Sequence, residues 1–224
     1  MPAQYIPYHS SALFDRAEKA AKLLQGVEAA ILCVATAEAF LHDLTEWLSI
    51  AVKHKEDCPQ RKRRDGYFHR GPFEVCATPL HQITEEEISL CCVLREAESR
   101  KAAICAKYIL AAEHIKPGKW KKGGRPLQPF ISLVRIRNDI IHIKGNTLSE
   151  KNGKIVGYPK SIHRLILERV IPEPNCYTNW LNLIDAETFC SFSIETVKNL
   201  IESFHGILPE TYMSQRFVKS TRLA

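Results

Sequence analysis

The chain has 224 residues, of which 45% are hydrophobic and 25% are charged, and it carries a net charge of +6. This length and composition predict a single folded domain over residues 1–224 and exclude a chain that is disordered throughout. No apolar run reaches the roughly 18 residues that a membrane-spanning helix needs. Residues 1–10 also lack the basic start and apolar stretch of a signal peptide. We therefore expect no membrane partner and a cytoplasmic location.

Cysteine usage agrees with this expectation. The sequence has eight cysteines, none of them in CxxC spacing, and several fall in helical, mostly apolar contexts (Cys33, Cys91, Cys92 and Cys105). Such residues are typical of reduced core thiols rather than of disulfides or a zinc site. We expect no metal and no cofactor.

The N-terminal half predicts two helices followed by an insertion. A short helix is expected at Ser11–Leu24, and a long amphipathic helix from Val27 to about His54, with apolar residues at three- and four-residue spacing (Ile31, Val34, Leu41, Leu44, Leu48 and Val52). Residues 57–79 combine prolines, glycines and charges without a sustained period, so they are interpreted as an insertion between helices.

Two further long helices follow this insertion. Thr84 and Glu87 have the spacing of a capping box and predict a helix that runs to about His114. After a basic connection, Pro126 or Leu127 opens a third long helix that continues to Ile143 and ends at Gly145.

The C-terminal third mixes short elements with one long helix. We expect a hairpin around Gly153, a short helix at Ser161–Val170, a turn of helix near Trp180, and a long helix at Ser193–Leu208 with Ser193 as its cap. Residues 145–190 are interpreted as a second insertion, and the tail after Pro209 as poorly ordered. Four long helices with short extra helices predict an all-α bundle.

The third long helix carries a constellation of polar residues. It is apolar nearly all round, yet it contains Arg137, Asn138 and His142. Asn138 and His142 are four residues apart and share a helix face, and the long side chain of Arg137 can reach the same point. We therefore expect the three side chains to converge, because burying them without partners would cost several kcal/mol.

This residue set suits RNA cleavage. A histidine can accept the 2′-hydroxyl proton or protonate the leaving 5′-oxygen. An arginine can stabilise the charge that develops on the phosphoryl oxygens. Neither step requires a metal ion.

The segment Arg137-Asn138-Asp139-Ile140-Ile141-His142 resembles the RX4-6H motif of HEPN-domain ribonucleases. Ala37–Asp43 in the first long helix is similar to the HEPN helix that often bears an acidic residue. Arg64 and His69 have the same spacing but lie in a glycine-containing polar stretch. The resemblance covers about residues 27–208.

The resemblance implies a HEPN-like helical bundle that forms a homodimer through the helix 127–143. Two motifs would then build one composite site that cleaves RNA to leave a 2′,3′-cyclic phosphate. It implies Arg137 and His142 as catalytic residues, with Asn138 positioning the substrate. Similar proteins act as toxins or in defence against phage, so an antitoxin or defence-system partner is expected.

Glu38 is a further candidate for this site, because a carboxylate is costly within an apolar stripe. It either forms a buried ion pair with Arg137 or another base, or orients Arg137 or His142 for catalysis. Both interpretations predict that Glu38 faces the third long helix. Asp43 is assigned to the polar face of its helix, and neither His42 nor Asp139 is predicted to be a primary catalyst.

Basic residues form a candidate RNA-binding segment between the second and third long helices. Its members are Lys119, Trp120, Lys121, Lys122 and Arg125. The lysines and the arginine would contact phosphates, and the indole could stack on a base. Alternatively, the segment is a solvated loop that Trp120 anchors to the bundle.

Two other functions are compatible with the sequence. A non-catalytic HEPN module would use the same polar residues to dimerise and to bind a nucleotide or a protein partner. A DNA-binding regulator would depend on the basic segments alone, and no recognition-helix pattern accompanies them.

Overall fold

Helices make up most of the computed structural model, which describes residues 8–64, 82–121, 123–143, 147–151, 153–174 and 176–223, with the backbone alone over 57–64. The prediction of an all-α chain is confirmed. In chain order the helices are α1 (His9–Lys22), α2 (Gly26–Arg64), α3 (Glu85–Ser99), α4 (Ile104–Ile115), α5 (Leu127–Ile141), α6 (Lys160–Leu167), α7 (Trp180–Ile184), α8 (Glu187–His205) and α9 (Tyr212–Thr221). The predicted hairpin is present as the antiparallel strands β1 (Ser149–Lys151) and β2 (Lys154–Val156).

Helices α1 and α2 are joined by a short connection and pack as neighbours. The first turn of α1 is held by α2, because the buried carboxylate of Asp43 accepts hydrogen bonds from the Ser10 amide (2.9 Å), the Ser10 hydroxyl (2.7 Å) and the His9 amide (3.2 Å). The prediction that Asp43 lies on a polar face is therefore wrong. Its carboxylate satisfies amides at a helix N-terminus that has no side-chain cap of its own.

The start of α2 requires a glycine. The Gly26 amide donates to Asp185 Oδ1 at 2.8 Å. A Cβ atom at this position would lie 1.8 Å from the carbonyl oxygen of Ile184. Only a residue without a side chain allows the end of α7 to approach this closely.

Helix α2 is longer than predicted, because residues 57–64 continue it to Arg64 rather than beginning an insertion. Gln60–Arg64 consists of strong helix formers, which outweigh the absence of apolar periodicity there. The rest of the predicted insertion, residues 65–79, lies outside the described residues.

The single helix predicted from Thr84 to His114 is two helices. Thr84 and Glu87 form the expected capping box at the start of α3. However, α3 ends at Ser99, and α4 begins at Ile104 after a turn in which Lys101 has φ 52°. Helix α4 packs against α3 instead of extending it.

The C-terminal region is more ordered than predicted. Helix α8 begins at Glu187, so Ser193 is not a cap but a buried mid-helix residue whose hydroxyl donates to the Phe189 carbonyl at 2.9 Å. The tail after Pro209 forms α9, capped by Thr211. Met213 and Phe217 of α9 are fully buried, so this helix is part of the core.

An aromatic cluster lies at the centre of the molecule. Phe130 and Phe204 contact the Tyr108 ring edge-on, with ring centroids 5.8 and 5.5 Å from that of Tyr108. Phe40 contacts Phe204 in the same way, at 5.7 Å. The Tyr108 hydroxyl donates to the Ala37 carbonyl at 2.9 Å. Phe14 and Phe217 belong to the same core, which therefore extends beyond residues 27–208. Within the described residues, no helix is long and apolar enough to cross a membrane.

Candidate functional site

An open cleft of about 630 Å³ lies between α2, the turn that joins α3 to α4, and the C-terminal part of α5. Charged and polar side chains of the first five helices, α1 to α5, line it. The polar and charged lining residues are His9, Glu38, His42, Thr45, Glu98, Lys107, Arg137 and Asn138. Glu38 and His42 share a face of α2 one turn apart, whereas Arg137 and Asn138 are consecutive residues near the end of α5.

Arg137 is anchored to α2 by Glu38. Its Nη2 atom donates to Glu38 Oε1 at 2.6 Å, which confirms the prediction that Glu38 faces this helix. The pair is not buried as the ion-pair interpretation required, because the Glu38 side chain is 47% exposed and that of Arg137 is 23% exposed. The Arg137 Nε atom is buried and has no hydrogen-bond acceptor among the described residues. A guanidinium has five N–H donors, so the part of Arg137 that remains exposed in the cleft can donate to a ligand in addition to Glu38, whereas the buried Nε cannot.

A second cation, Lys107, enters the cleft from the first turn of α4. Its ammonium group is paired with the carboxylate of Glu98 from the last turn of α3. In one continuous helix, residues nine apart would be separated by about 13 Å along the axis. The turn between α3 and α4 brings them together, so the sequence alone did not predict that either residue belongs to the cleft.

His142 is not brought to the cleft with Arg137 and Asn138. Helix α5 ends at Ile141, two residues earlier than predicted, and His142 is its C-cap residue with φ −113° and ψ 49°. Its amide donates to the Asn138 carbonyl at 2.9 Å, while its side chain is exposed. The expected convergence of the three side chains therefore does not occur within one chain, because the backbone at His142 has left the helical conformation.

The end of α5 also exposes apolar surface. Ile141 is 52% exposed and Ile143 is 57% exposed, whereas Phe130, Leu133 and Ile136 earlier in the helix are fully buried. The single chain therefore buries one face of this predominantly apolar helix and leaves the apolar residues at its C-terminal end uncovered.

Two histidines that were not predicted to belong to the site also line the cleft. His42 is 67% exposed and lies 3.9 Å from Glu46, one turn further along α2. His9 lies at the start of α1 and is exposed. The four-residue spacing between Glu38 and His42 was a signal that could have placed His42 in the site.

The basic segment that joins α4 to α5 lies away from the cleft. Lys119, Lys121 and Arg125 are exposed, whereas Lys122 lies outside the described residues. The segment precedes the first turn of α5, and Arg137 lies about 15 Å further along that helix.

The prediction that Trp120 stacks on an RNA base is wrong. Trp120 is 6% exposed, stacks on Tyr108 with ring centroids 6.2 Å apart, and meets Phe204 edge-on at 5.8 Å. An indole buried in this way cannot stack on a base without leaving the core. Trp120 therefore anchors the segment to the bundle.

Asp139 points away from the motif and accepts a hydrogen bond from the Ser161 hydroxyl of α6 at 2.5 Å. It therefore links α5 to α6. Among the described residues, no three histidine, cysteine, aspartate or glutamate side chains are grouped so that they could hold a metal ion.

No protein family, curated protein or solved structure matches this chain at a significant level.

Proposed function

We propose that this chain is a metal-independent endoribonuclease of the HEPN type, in which Arg137, Asn138 and His142 act on RNA. The observation that carries the proposal is the position of Arg137, whose partly exposed side chain is held by Glu38 in an open cleft. Asn138 lines the same cleft, and His142 follows one turn later on an exposed surface.

The chemistry follows from the residue types. One imidazole accepts the proton of the 2′-hydroxyl, and the 2′-oxygen then attacks the adjacent phosphorus. The bond from phosphorus to the 5′-oxygen breaks, and an imidazolium donates its proton to that leaving oxygen. The products are a 2′,3′-cyclic phosphate and a 5′-hydroxyl. Arg137 stabilises the charge on the non-bridging oxygens, and Asn138 positions the strand.

A homodimer would supply the two imidazoles that this reaction uses. Ile141 and Ile143 flank His142 and are both more than half exposed, which is costly for apolar side chains in water. Packing the ends of two α5 helices together would cover these residues and bring two copies of His142 close to each other. Arg137 of each copy lies in the adjoining turn.

The biological role that fits this activity is that of a toxin or an anti-phage defence effector, restrained by an antitoxin or another defence-system partner. The exposed Lys119, Lys121 and Arg125 are proposed to contact phosphates of RNA outside the cleft.

The test is cleavage of a mixed RNA pool in EDTA by the wild type and by His142→Ala, with analysis of the product ends. We expect the wild type to leave cyclic phosphates and the variant to lose activity by about 100-fold or more. His114→Ala is the matched control, because His114 is also an exposed histidine at the end of a helix. Equal cleavage by the wild type and His142→Ala would contradict the assignment of His142.

Absence of cleavage by a wild type that forms a stable dimer would instead support the alternative, a non-catalytic HEPN module. In that case Arg137 and Asn138 would bind a nucleotide or a partner protein in the cleft.

A further inference from the structure

The cleft presents two cations that come from separate helices. Arg137 lies near the end of α5, and Lys107 lies in the first turn of α4. Their side chains are only 23% and 17% exposed, so both are partly withdrawn from solvent. Positive charges held in a cleft attract anions more strongly than the same charges on an open surface.

Each of these cations is paired with a carboxylate that is more exposed than itself. The Glu38 side chain is 47% exposed and that of Glu98 is 68% exposed. Ion pairs with solvent-exposed members contribute little to stability, and their carboxylates can be rehydrated at small cost. An incoming phosphate can therefore replace Glu98 as the partner of Lys107 without leaving a buried charge unpaired.

We infer that Lys107 is a second phosphate-binding residue of the cleft and contacts an RNA phosphate beside the one that Arg137 holds. Glu98 keeps the ammonium group in place when RNA is not bound. The identity of the ligand as RNA rests on the proposed function, whereas the pairing of the two cations in one cleft does not. A lysine suits this role because its ammonium is a compact charge with three donors on a flexible stem.

A purely structural role for the same pair makes a different prediction. If Lys107 only ties α4 to α3 through Glu98, then removing either partner has the same effect on the cleft. If Lys107 binds phosphate, then Lys107→Gln weakens RNA binding, whereas Glu98→Gln leaves it unchanged or strengthens it, since Lys107 loses its competitor.

The experiment measures binding of a fluorescent 2′-O-methyl oligoribonucleotide, which lacks the attacking hydroxyl, by anisotropy over a range of salt concentrations. Each phosphate contact to a single strand contributes about 0.7 to the slope of log affinity against log salt, or about fivefold in affinity near 0.1 M salt. We expect Lys107→Gln to lose that slope and that affinity, and Lys107→Arg to restore most of both. Glu98→Gln breaks the same ion pair but keeps the cation, so full binding by that variant shows that the loss in Lys107→Gln does not come from misfolding.

Lys55→Gln is the matched control. Lys55 is likewise paired with a glutamate of another helix, Glu85, at 2.9 Å, but it does not line the cleft. We expect this variant to bind as the wild type does. The inference is overturned if Lys107→Gln binds with unchanged affinity and slope, if Glu98→Gln weakens binding as much as Lys107→Gln, or if the wild type does not bind the oligonucleotide.

Cleavage assays on unmodified RNA separate this inference from the proposed function. Binding that depends on Lys107 without any cleavage by the wild type would contradict the nuclease and leave the inference standing. Cleavage by the wild type, with an unchanged KM for Lys107→Gln, would support the nuclease and contradict the inference.

Discussion

His205 has a partly buried imidazole in the aromatic core. It is not part of the candidate site, but its ionisation affects the stability of the fold. Its ring contacts Phe40 with centroids 5.2 Å apart, and Nε2 lies 3.1 Å from the Thr221 hydroxyl. Burial, and to a smaller extent Arg222, lowers the pKa of His205 to about 4 from 6.5. The imidazole is therefore neutral in the folded protein at pH values where the unfolded chain is already protonated.

This difference in pKa predicts a pH dependence of stability. The contribution of His205 is fully present above pH 6.5 and is lost as the pH falls from 6.5 towards 4, because the unfolded state binds the additional proton. We expect a loss on the order of 1–2 kcal/mol, less than the full shift would give because part of the ring is exposed. Urea unfolding at several pH values measures it.

His205→Gln should flatten this dependence between pH 6.5 and 5, where few carboxylates titrate. His163→Gln, at an exposed histidine, should retain it. A His205→Gln variant whose stability falls with pH as steeply as that of the wild type would contradict the explanation.

Residues of the cleft were predictable from the sequence to different degrees. Arg137 and Glu38 could be placed together because each stands out in an apolar stripe of a periodic helix. Lys107 and Glu98 could not, because their contact depends on the turn at Lys101, whose positive φ occurs without the glycine or asparagine that usually marks such a turn. Trp120 was wrongly assigned to RNA binding, because the lysines beside it in the sequence do not indicate whether the indole is buried in the core.

At the scale of the elements, Glu87 joins two helices that are far apart in sequence. Its buried carboxylate accepts from the Thr84 amide at 3.0 Å to cap α3, and from the Ser214 hydroxyl at 2.7 Å and the Thr211 hydroxyl to hold α9. A local capping box therefore also serves as the docking point of the C-terminal helix.

Glu87→Ala is expected to lower the free energy of unfolding by about 2–4 kcal/mol, because it leaves buried donors on both helices without an acceptor. It should also expose α9 to limited proteolysis before the rest of the chain. Glu86→Ala, at the exposed neighbouring position, should change stability by only a few tenths of a kcal/mol. Equal effects of the two substitutions would show that Glu87 does not hold α9.

The existence and type of most helices could be predicted, whereas their ends could not. The apolar periodicity of α2, α5 and α8 and the capping box of α3 are local signals. The order of α9 is not local, since it depends on Glu87 and on the core that receives Phe217. The end of α5 before His142 likewise had no strong signal, because Ile141 and Ile143 continue the apolar pattern.

At the scale of the whole molecule, the proposed RNA-cleaving site requires that two copies meet at the ends of their α5 helices. Ile141→Glu combined with Ile143→Glu should give a monomer in light scattering and abolish RNA cleavage, although Arg137 and His142 are retained. Leu110→Glu, at an apolar residue of α4 that is 47% exposed, should preserve both the dimer and the activity. A double variant that remains dimeric would contradict this interface.

The most direct measurement is titration of the wild type with His142→Ala, a variant that should be inactive alone. The two proteins are mixed in known ratios, subunits are allowed to exchange, and RNA cleavage is followed in EDTA. If one site uses the His142 imidazoles of both chains, mixed dimers lack one of them, and the activity should fall with the square of the wild-type fraction. Activity that falls only in proportion to the wild-type fraction after complete exchange would contradict the shared RNA-cleaving site.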